Sequence, residues 1–459
     1  MSETKNKSNL ITPGYTLTFV LVTLLFFLWA FPNTLNDVLI TQFKKSLQLS
    51  LSQTGLLPVA LKCGYFVTSI PAGLFMQRKG YKFGLLIGLA LFACGFFLFI
   101  PASLSQQFWF FLLAIFITTS GAAFLEIGAN SFVVGLGDKS SAERRLNLAQ
   151  SFNPIGGIAA AAAGTFFIFS GNEPSKDQIA NWDPSLWGVD TYKDFLREEN
   201  MRVIPTYITL GILVIIVGLL IWRAKFPALD APKNSEKEEK GSFKALLQFP
   251  QWWGGVISQF FYLGAQLGTW SYLILYIQQN SLLAEKQAGI FLTVNMAIFM
   301  VGRFFSTWLM KYIKPVKLMG TYCLINICLV AVSILGSSWA NAKFGIGLSD
   351  CILPVPFTDL QVPVGIYALI MSTFFMSLMY PTNFASGIKG LGPHAKLGAS
   401  ILVMSLIGGA VLSFLMGRIA DTEWAGEAIA PAMIIPIISY CVICWYAFSG
   451  SKPRGPIYE

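Results

Sequence analysis

Twelve runs of about 20 apolar residues, separated by short polar stretches, leave this chain little choice of fold. A helix rising 1.5 Å per residue needs about that length to cross roughly 30 Å of hydrocarbon. The alternating pattern of a barrel strand, about ten residues long, is not seen. The runs lie at about 16 to 42, 54 to 76, 83 to 101, 108 to 136, 147 to 169, 203 to 223, 252 to 278, 287 to 311, 317 to 336, 363 to 387, 397 to 417 and 429 to 449. The fold class that follows is all-α, a polytopic membrane protein with 12 transmembrane helices and both termini on one side.

Composition agrees: 54% of the 459 residues are hydrophobic and only 12% are charged. The net charge of +9 does not mark a nucleic-acid binder, because the basic residues sit in short loops rather than along one stripe. They report topology instead. With cytoplasmic termini, 21 of the 32 Lys and Arg residues face the cytoplasm, which is the orientation the positive-inside rule favours. The N-terminal run, from Thr16 to Ile40, is too long for the core of a cleavable signal and reads as the first span. Six of the seven cysteines lie inside apolar runs, so neither a disulfide framework nor a zinc site is expected.

The longest cytoplasmic loop, Arg223 to Phe249, carries the charged run Lys233 to Lys240 and divides the spans six and six. The expected organisation is an N-terminal half over 1–222, a linker over 223–250 and a C-terminal half over 251–459. Two outer loops, about 170 to 202 and 337 to 362, are long and rich in Trp, Pro and Asp, with no readable role.

An ionisable group inside a bilayer costs about 2.5 to 3.5 kcal/mol on insertion scales, so the four that occur here are the first places to look for function. They are Asp37, Lys62, Glu126 and Arg303. Asp37 follows Pro32 and the polar cluster Asn33, Thr34 and Asn36, which interrupt the first run; a helix broken at membrane depth lines a cavity, unless Asp37 stands at the helix end in water. Glu126 has at least ten or so apolar residues on either side and so lies near mid-membrane. Burial disfavours its charged form, which lets it exchange a proton in the physiological range. Lys62 is about as far from the first loop as Asp37, so a helical hairpin sets the two at similar depth; pairing with Asp37 and reaching outward to the interface both remain open. Arg303 reads as an inter-helix contact.

Uncharged polar groups in the runs are Asn130, Gln150 and Asn153 early in the chain, and Gln259, Gln266, Asn295 and Asn383 later. Amides offer donors and acceptors to hydroxyl-rich ligands, and Trp29, Tyr262, Trp270 and Tyr380 offer faces on which a pyranose can lie. Hydrogen bonding between helices is the alternative for each amide. Gly156-Gly157 and Gly408-Gly409 allow close helix contact. No Walker A sequence, His-rich metal site or nucleophile elbow occurs, and the only histidine, His394, falls in a cytoplasmic loop. An ATP-driven pump and an enzyme are thereby disfavoured.

Several segments together resemble the fucose permease branch of the major facilitator superfamily, the fucose:proton symporters. They are Phe26-Phe-Leu-Trp-Ala30 with Leu35-Asn-Asp37, Gly64-Tyr-Phe66 with Ile70-Pro-Ala-Gly73, Leu125-Glu126 with Ala129-Asn130, and Arg145-Leu-Asn-Leu-Ala-Gln150 with Phe152-Asn153. The later spans add Gly264-Ala-Gln266 with Trp270-Ser-Tyr-Leu273, Gly302-Arg303 with Thr307-Trp-Leu309, and Tyr380-Pro-Thr382 with Gly387-Ile-Lys389. The resemblance implies a major facilitator fold of two six-helix halves and alternating access. It also implies proton-coupled uptake of a monosaccharide (L-fucose, galactose or glucose), with Glu126 and Asp37 serving proton coupling and sugar recognition. Asn33, Thr34, Asn36, Lys62, Asn130, Gln150, Asn153, Gln259, Tyr262, Gln266, Trp270, Asn295 and Tyr380 complete the expected substrate site.

Thr34 stands where the fucose carriers have an asparagine, Lys62 replaces an uncharged aromatic, and Gln77 occupies the aspartate position of the superfamily's loop motif. A sugar uniporter, a sodium-coupled carrier and a transporter-like sugar sensor are the rival readings. The expected coupling ion is a proton, with sodium the alternative, and no cofactor is expected. The expected setting is a monomer in the lipid bilayer of a bacterial inner membrane, with a small-molecule sugar as partner and no nucleic acid.

Overall fold

The structure, a computed structural model, describes residues 11–49, 56–168, 174, 176–227, 242–281, 283, 285–355, 361–426 and 428–452. The charged run Lys233 to Lys240 and the side chains of Asn36 and Asp37 lie outside the described residues. Over most of its described residues each of the twelve apolar runs is helical. Among the described residues nine stretches are long and apolar enough to cross a membrane, one of which, Val59–Ser105, contains two runs.

In three spans the helix breaks a few residues before a proline. The first span is α1 (Thr16–Leu28) followed by α2 (Ala30–Ser46). The interruption sits at Trp29 rather than at Pro32 itself, because a proline withholds its N–H from the carbonyl four residues back, here Leu28. The second and third spans form α3 (Leu56–Ser105), two helices meeting at Gly80, whose φ of 84° only glycine adopts freely. Then follow α4 (Phe108–Gly135) and a fifth span split into α5 (Ala142–Gln150) and α6 (Asn153–Ala163), with Pro154 just after the break. The sixth to ninth spans are α7 (Val203–Arg223), α8 (Pro250–Asn280), α9 (Glu285–Leu309) and α10 (Pro315–Leu335). The tenth is again split, into α11 (Val364–Met376) and α12 (Met379–Gly387), with Pro381 after the break. The eleventh is α13 (Ala395–Met404) and α14 (Gly408–Ala420), and the twelfth is α15 (Ile434–Trp445).

The helices gather into two units. The first comprises the described parts of Thr12–Phe132 and Phe152–Pro232; the second joins Val133–Ser151 to the described part of Lys233–Glu459. In the first, α7 packs along α3, and Phe99 stacks on Tyr207 with ring centroids 3.9 Å apart. Gly156 lets α6 press against the carbonyl of Phe27 and the side chain of Ala30 at the α1–α2 break. In the second, α8 packs on α14 and α15, and Gly408 lies against the carbonyl of Phe260. The glycine pairs read as packing residues therefore do pack. Ile212, Leu213, Ile215, Ile216, Leu219, Leu220 and Trp222 all stand exposed along α7, a surface suited to lipid and not to water.

The outer loop after the fifth span, unread in the sequence, folds into short helices around Trp182, Trp187, Tyr192 and Phe195, and Trp182 stacks on Trp187 at 5.5 Å. It is fastened by Gln42, which donates to the carbonyl of Glu199 at 2.7 Å, and by Asn200, which donates to that of Ser103 at 3.3 Å. The later outer loop carries an antiparallel pair, β1 (Ile352–Pro354) and β2 (Gln361–Pro363), with Leu353 opposite Val362. His394, expected simply in a loop, is buried there and accepts a hydrogen bond from the backbone N–H of Ser242 at 2.9 Å.

Arg145, fully buried before α5 enters the apolar zone, closes the end of α4 by donating to the carbonyls of Val133 and Val134. Burial lowers its pKa to about 10, while Asp138 and Glu143 pull the other way, so it stays protonated at physiological pH. Hydrogen bonds to charged groups contribute about 1.5 to 3 kcal/mol each. Arg145→Met is accordingly expected to lower the melting temperature in detergent by several degrees, whereas Arg145→Lys, retaining one bond, falls between. Equal melting of all three proteins would refute the capping role.

Candidate functional site

The first unit brings Glu126 to a small polar cluster. Glu126 stands on α4 with 6% exposure, one turn before the fully buried Asn130. Across from it, the buried Tyr65 on α3 has its hydroxyl near the side chain of Asn33 and within electrostatic reach of Glu126. Asn33 in turn donates to the carbonyl of Trp29 at 3.2 Å, so the residue that ends α1 orients the cluster. Tyr65 was missed as a functional residue by sequence reasoning, although it is the centre of Gly64-Tyr-Phe66. A tyrosine in an apolar run looks like any aromatic until its hydroxyl has a partner.

The other early residues divide. Asn153 uses its amide N–H to bond the carbonyl of Phe26 at 2.9 Å, the inter-helix role held as its alternative. Thr34 faces the bare Cα of Gly157: a Cβ built there would stand 3.3 Å from its hydroxyl oxygen. Lys62 is half-buried on α3, one turn before Tyr65. For Asp37 and Asn36 only the helical backbone of α2 is described.

The second unit assembles a different cluster around Arg303. The guanidinium, 4% exposed, lies 4.6 Å above the ring of Phe299, which meets Trp270 edge-on at 5.1 Å. Tyr262 and Tyr380, 6.1 Å apart between ring centroids, are its electrostatic neighbours. Arg303 donates to the carbonyl of Gln150 at 2.8 Å and to that of Ser377 at 3.0 Å. Four predicted site residues, Gln150, Tyr262, Trp270 and Tyr380, thus converge on an arginine that the sequence presented as an inter-helix contact, which it also is.

Within this unit several buried polar atoms have no protein partner: both amide atoms of Gln259, the hydroxyl of Tyr262, the indole N–H of Trp270 and the amide nitrogen of Asn295. Asn295 accepts from the Thr373 hydroxyl at 2.6 Å with its other end. Leaving such a group unsatisfied costs about 1 to 3 kcal/mol, so polar atoms left open in this way are suited to a hydroxylated ligand. Gln266 is half-buried on the same helix, α8. Asn383 is placed alike: its side-chain oxygen accepts from the Ser258 hydroxyl at 3.0 Å, and its amide nitrogen has no protein partner. Among the described residues no group of His, Cys, Asp or Glu could hold a metal ion.

Comparison with known proteins places this arrangement. The family model of the Major Facilitator Superfamily matches residues 18–353. The chain is 37% identical to the L-fucose-proton symporter of Escherichia coli (strain K12) over 95% of its own length and 93% of that protein's. It is 29% identical to a glucose/galactose transporter of Brucella abortus biovar 1 (strain 9-941), over 98% and 97% of the two chains. The crystal structure of the major facilitator fucose transporter in the outward conformation superposes with a TM-score of 0.79 at 36% identity, covering 94% of this chain and 98% of that one. The broken spans, the buried carboxyl of Glu126 and the arginine-centred aromatic cluster are therefore features of a chain that belongs to the fucose permease, or fucose:proton symporter, family of the major facilitator superfamily.

Proposed function

We propose that this protein takes up a monosaccharide, one of L-fucose, galactose and glucose, together with a proton by alternating access. The observation that carries the reading is Glu126: a buried carboxyl in the middle of α4, beside Tyr65 and Asn33, in a chain whose 37% identical relative is named an L-fucose-proton symporter. The protein is a multi-pass membrane transporter and not an enzyme.

In this reading Glu126 takes the coupling proton, and Asp37, Asn33, Thr34, Asn36, Lys62 and Asn130 contact the sugar from the early spans. Gln150, Asn153, Gln259, Tyr262, Gln266, Trp270, Asn295 and Tyr380 complete the site, with the open atoms of Gln259, Tyr262, Trp270 and Asn295 as donors and acceptors for hydroxyls. The working unit is a monomer in lipid, with two six-helix halves, residues 223–250 as linker and both termini cytoplasmic; the distribution of 21 of 32 basic residues supports that orientation. A coupling ion replaces any cofactor.

Uptake of labelled L-fucose, galactose and glucose into proteoliposomes, with and without an inward proton gradient, tests the reading. Accumulation of one of them above its outside concentration only when the gradient is present is expected. Dependence on sodium instead would replace the coupling ion, equilibration without accumulation would make the protein a uniporter, and uptake of none of the three would end the sugar assignment.

A further inference from the structure

The two carbonyls that Arg303 serves share one property. Gln150 ends α5, and the residue whose N–H an unbroken helix would return to its carbonyl is Pro154. Ser377 follows α11, and its corresponding residue is Pro381. A proline has no N–H to give, so both carbonyls are denied their helical donor. One guanidinium supplies both, through Nη1 to Gln150 and Nε to Ser377. The planar fork of arginine suits that double task, which the point charge of lysine does not.

The two bonds differ in what they join. Ser377 and Phe299 belong with Arg303 to the later six spans, whereas Gln150 belongs to the fifth span, before the linker. We propose that Arg303 is a positioning residue of the transport cycle. Its bond to Gln150 ties the early spans to the late ones in one access state and is released in the other, while Ser377 and Phe299 hold the guanidinium throughout. The proposal rests on the alternating-access reading above but not on the identity of the sugar.

Further contacts link the same two broken spans. Asn147 on α5 donates to the Thr382 hydroxyl on α12 at 3.3 Å, and Lys389 pairs with the buried Glu143 at 3.4 Å. Thr382, whose hydroxyl takes the Asn147 bond, is fully buried in this tied arrangement. Its accessibility therefore reports whether the tie is made.

Pro154 supplies the matched test. Pro154→Ala restores a local N–H for the Gln150 carbonyl, which then no longer depends on Arg303 in either state. Arg303→Lys and Pro154→Ala thus remove the same preference from opposite ends, and a double-mutant cycle detects it. The experiment uses the full chain with its seven cysteines replaced by alanine and Thr382→Cys added. In inverted vesicles, the rate of alkylation by a membrane-impermeant maleimide is measured from the cytoplasmic side without sugar.

Each single substitution is expected to raise the rate about tenfold, equivalent to about 1.4 kcal/mol, and the pair to raise it no further. An unchanged rate in either folded single variant, or a double variant about a hundredfold faster, overturns the proposal. If Arg303→Lys fails to fold, the rise in Pro154→Ala alone decides. The sugar assignment is judged separately. Where a sugar is carried, its half-saturation concentration should rise from the outer face and fall from the inner face, because a shift between states moves the two in opposite directions. Simple site damage moves both the same way. Uptake of none of the three sugars with the labelling response intact would remove the sugar reading and leave the tie standing, and the reverse pattern would do the opposite.

Discussion

Glu126→Gln is expected to abolish gradient-driven accumulation of sugar while leaving sugar exchange across the membrane in place. Glutamine keeps the size of the side chain and much of its hydrogen bonding, so Tyr65 and Asn33 retain a neighbour of the same shape. What it lacks is a proton to release. With one proton per sugar, a gradient of one pH unit is worth about 1.36 kcal/mol and sustains up to about tenfold accumulation in the wild type. In the variant the inside-to-outside ratio should settle near one, with counterflow of labelled against unlabelled sugar retained. The pH dependence has a definite sign: if the protonated carboxyl is the form that carries sugar inward, wild-type exchange declines as pH rises through its titration. The variant, which resembles the protonated form at every pH, shows a flat profile. Accumulation at the wild-type level would remove Glu126 from coupling and turn attention to Asp37.

Gly156→Val is the substitution expected to damage the fold most. A Cβ at this position would fall on the carbonyl oxygen of Phe27 and within 2.9 Å of the Ala30 side chain, and a backbone oxygen cannot rotate aside as a flexible side chain can. Accommodating it means driving α6 away from the α1–α2 break, on which Asn33 and Tyr65 depend. Overpacking of this kind costs about 1 to 3 kcal/mol and sometimes more. Here it should leave a transporter that does not elute as a single species in detergent, or melts at least about 10 °C lower. Gly218→Ala is the control. The nearest atoms to its new methyl group, in Leu89, are 3.9 Å away, so the better helix propensity of alanine, about 1 kcal/mol, makes it neutral or slightly stabilising. Equal stability of the two variants would mean that close approach of α6 is not required.

Much of the architecture was legible because a bilayer imposes a coarse rule. A segment of about 20 apolar residues must be a helix with its own backbone groups paired, so the twelve runs were readable without any contact being known. Pro32, beside the polar cluster of Asn33, Thr34 and Asn36, was visible as an interruption of the first span, whereas the breaks before Pro154 and Pro381 were not, since a proline alone does not decide it: Pro71 and Pro101 lie inside continuous helix. Gly156 and Gly408 announced close packing, and Glu126 stood out because a charge at mid-membrane is expensive.

Other features needed the third dimension. That the break in the first span falls at Trp29 depends on which carbonyl loses its donor. Tyr65 gains significance only from Asn33 and Glu126, residues on other helices. The sequence of this protein determined by itself the number of helices, the interruption of the first and the buried carboxyl, because these follow from local composition and the cost of exposing polar groups to lipid. Only the tertiary structure decided that Arg303 serves the carbonyls freed by Pro154 and Pro381, and that Gln150, Tyr262, Trp270 and Tyr380 meet around it. Such partnerships join residues tens to hundreds of positions apart, and no periodicity along the chain encodes a contact between separate spans.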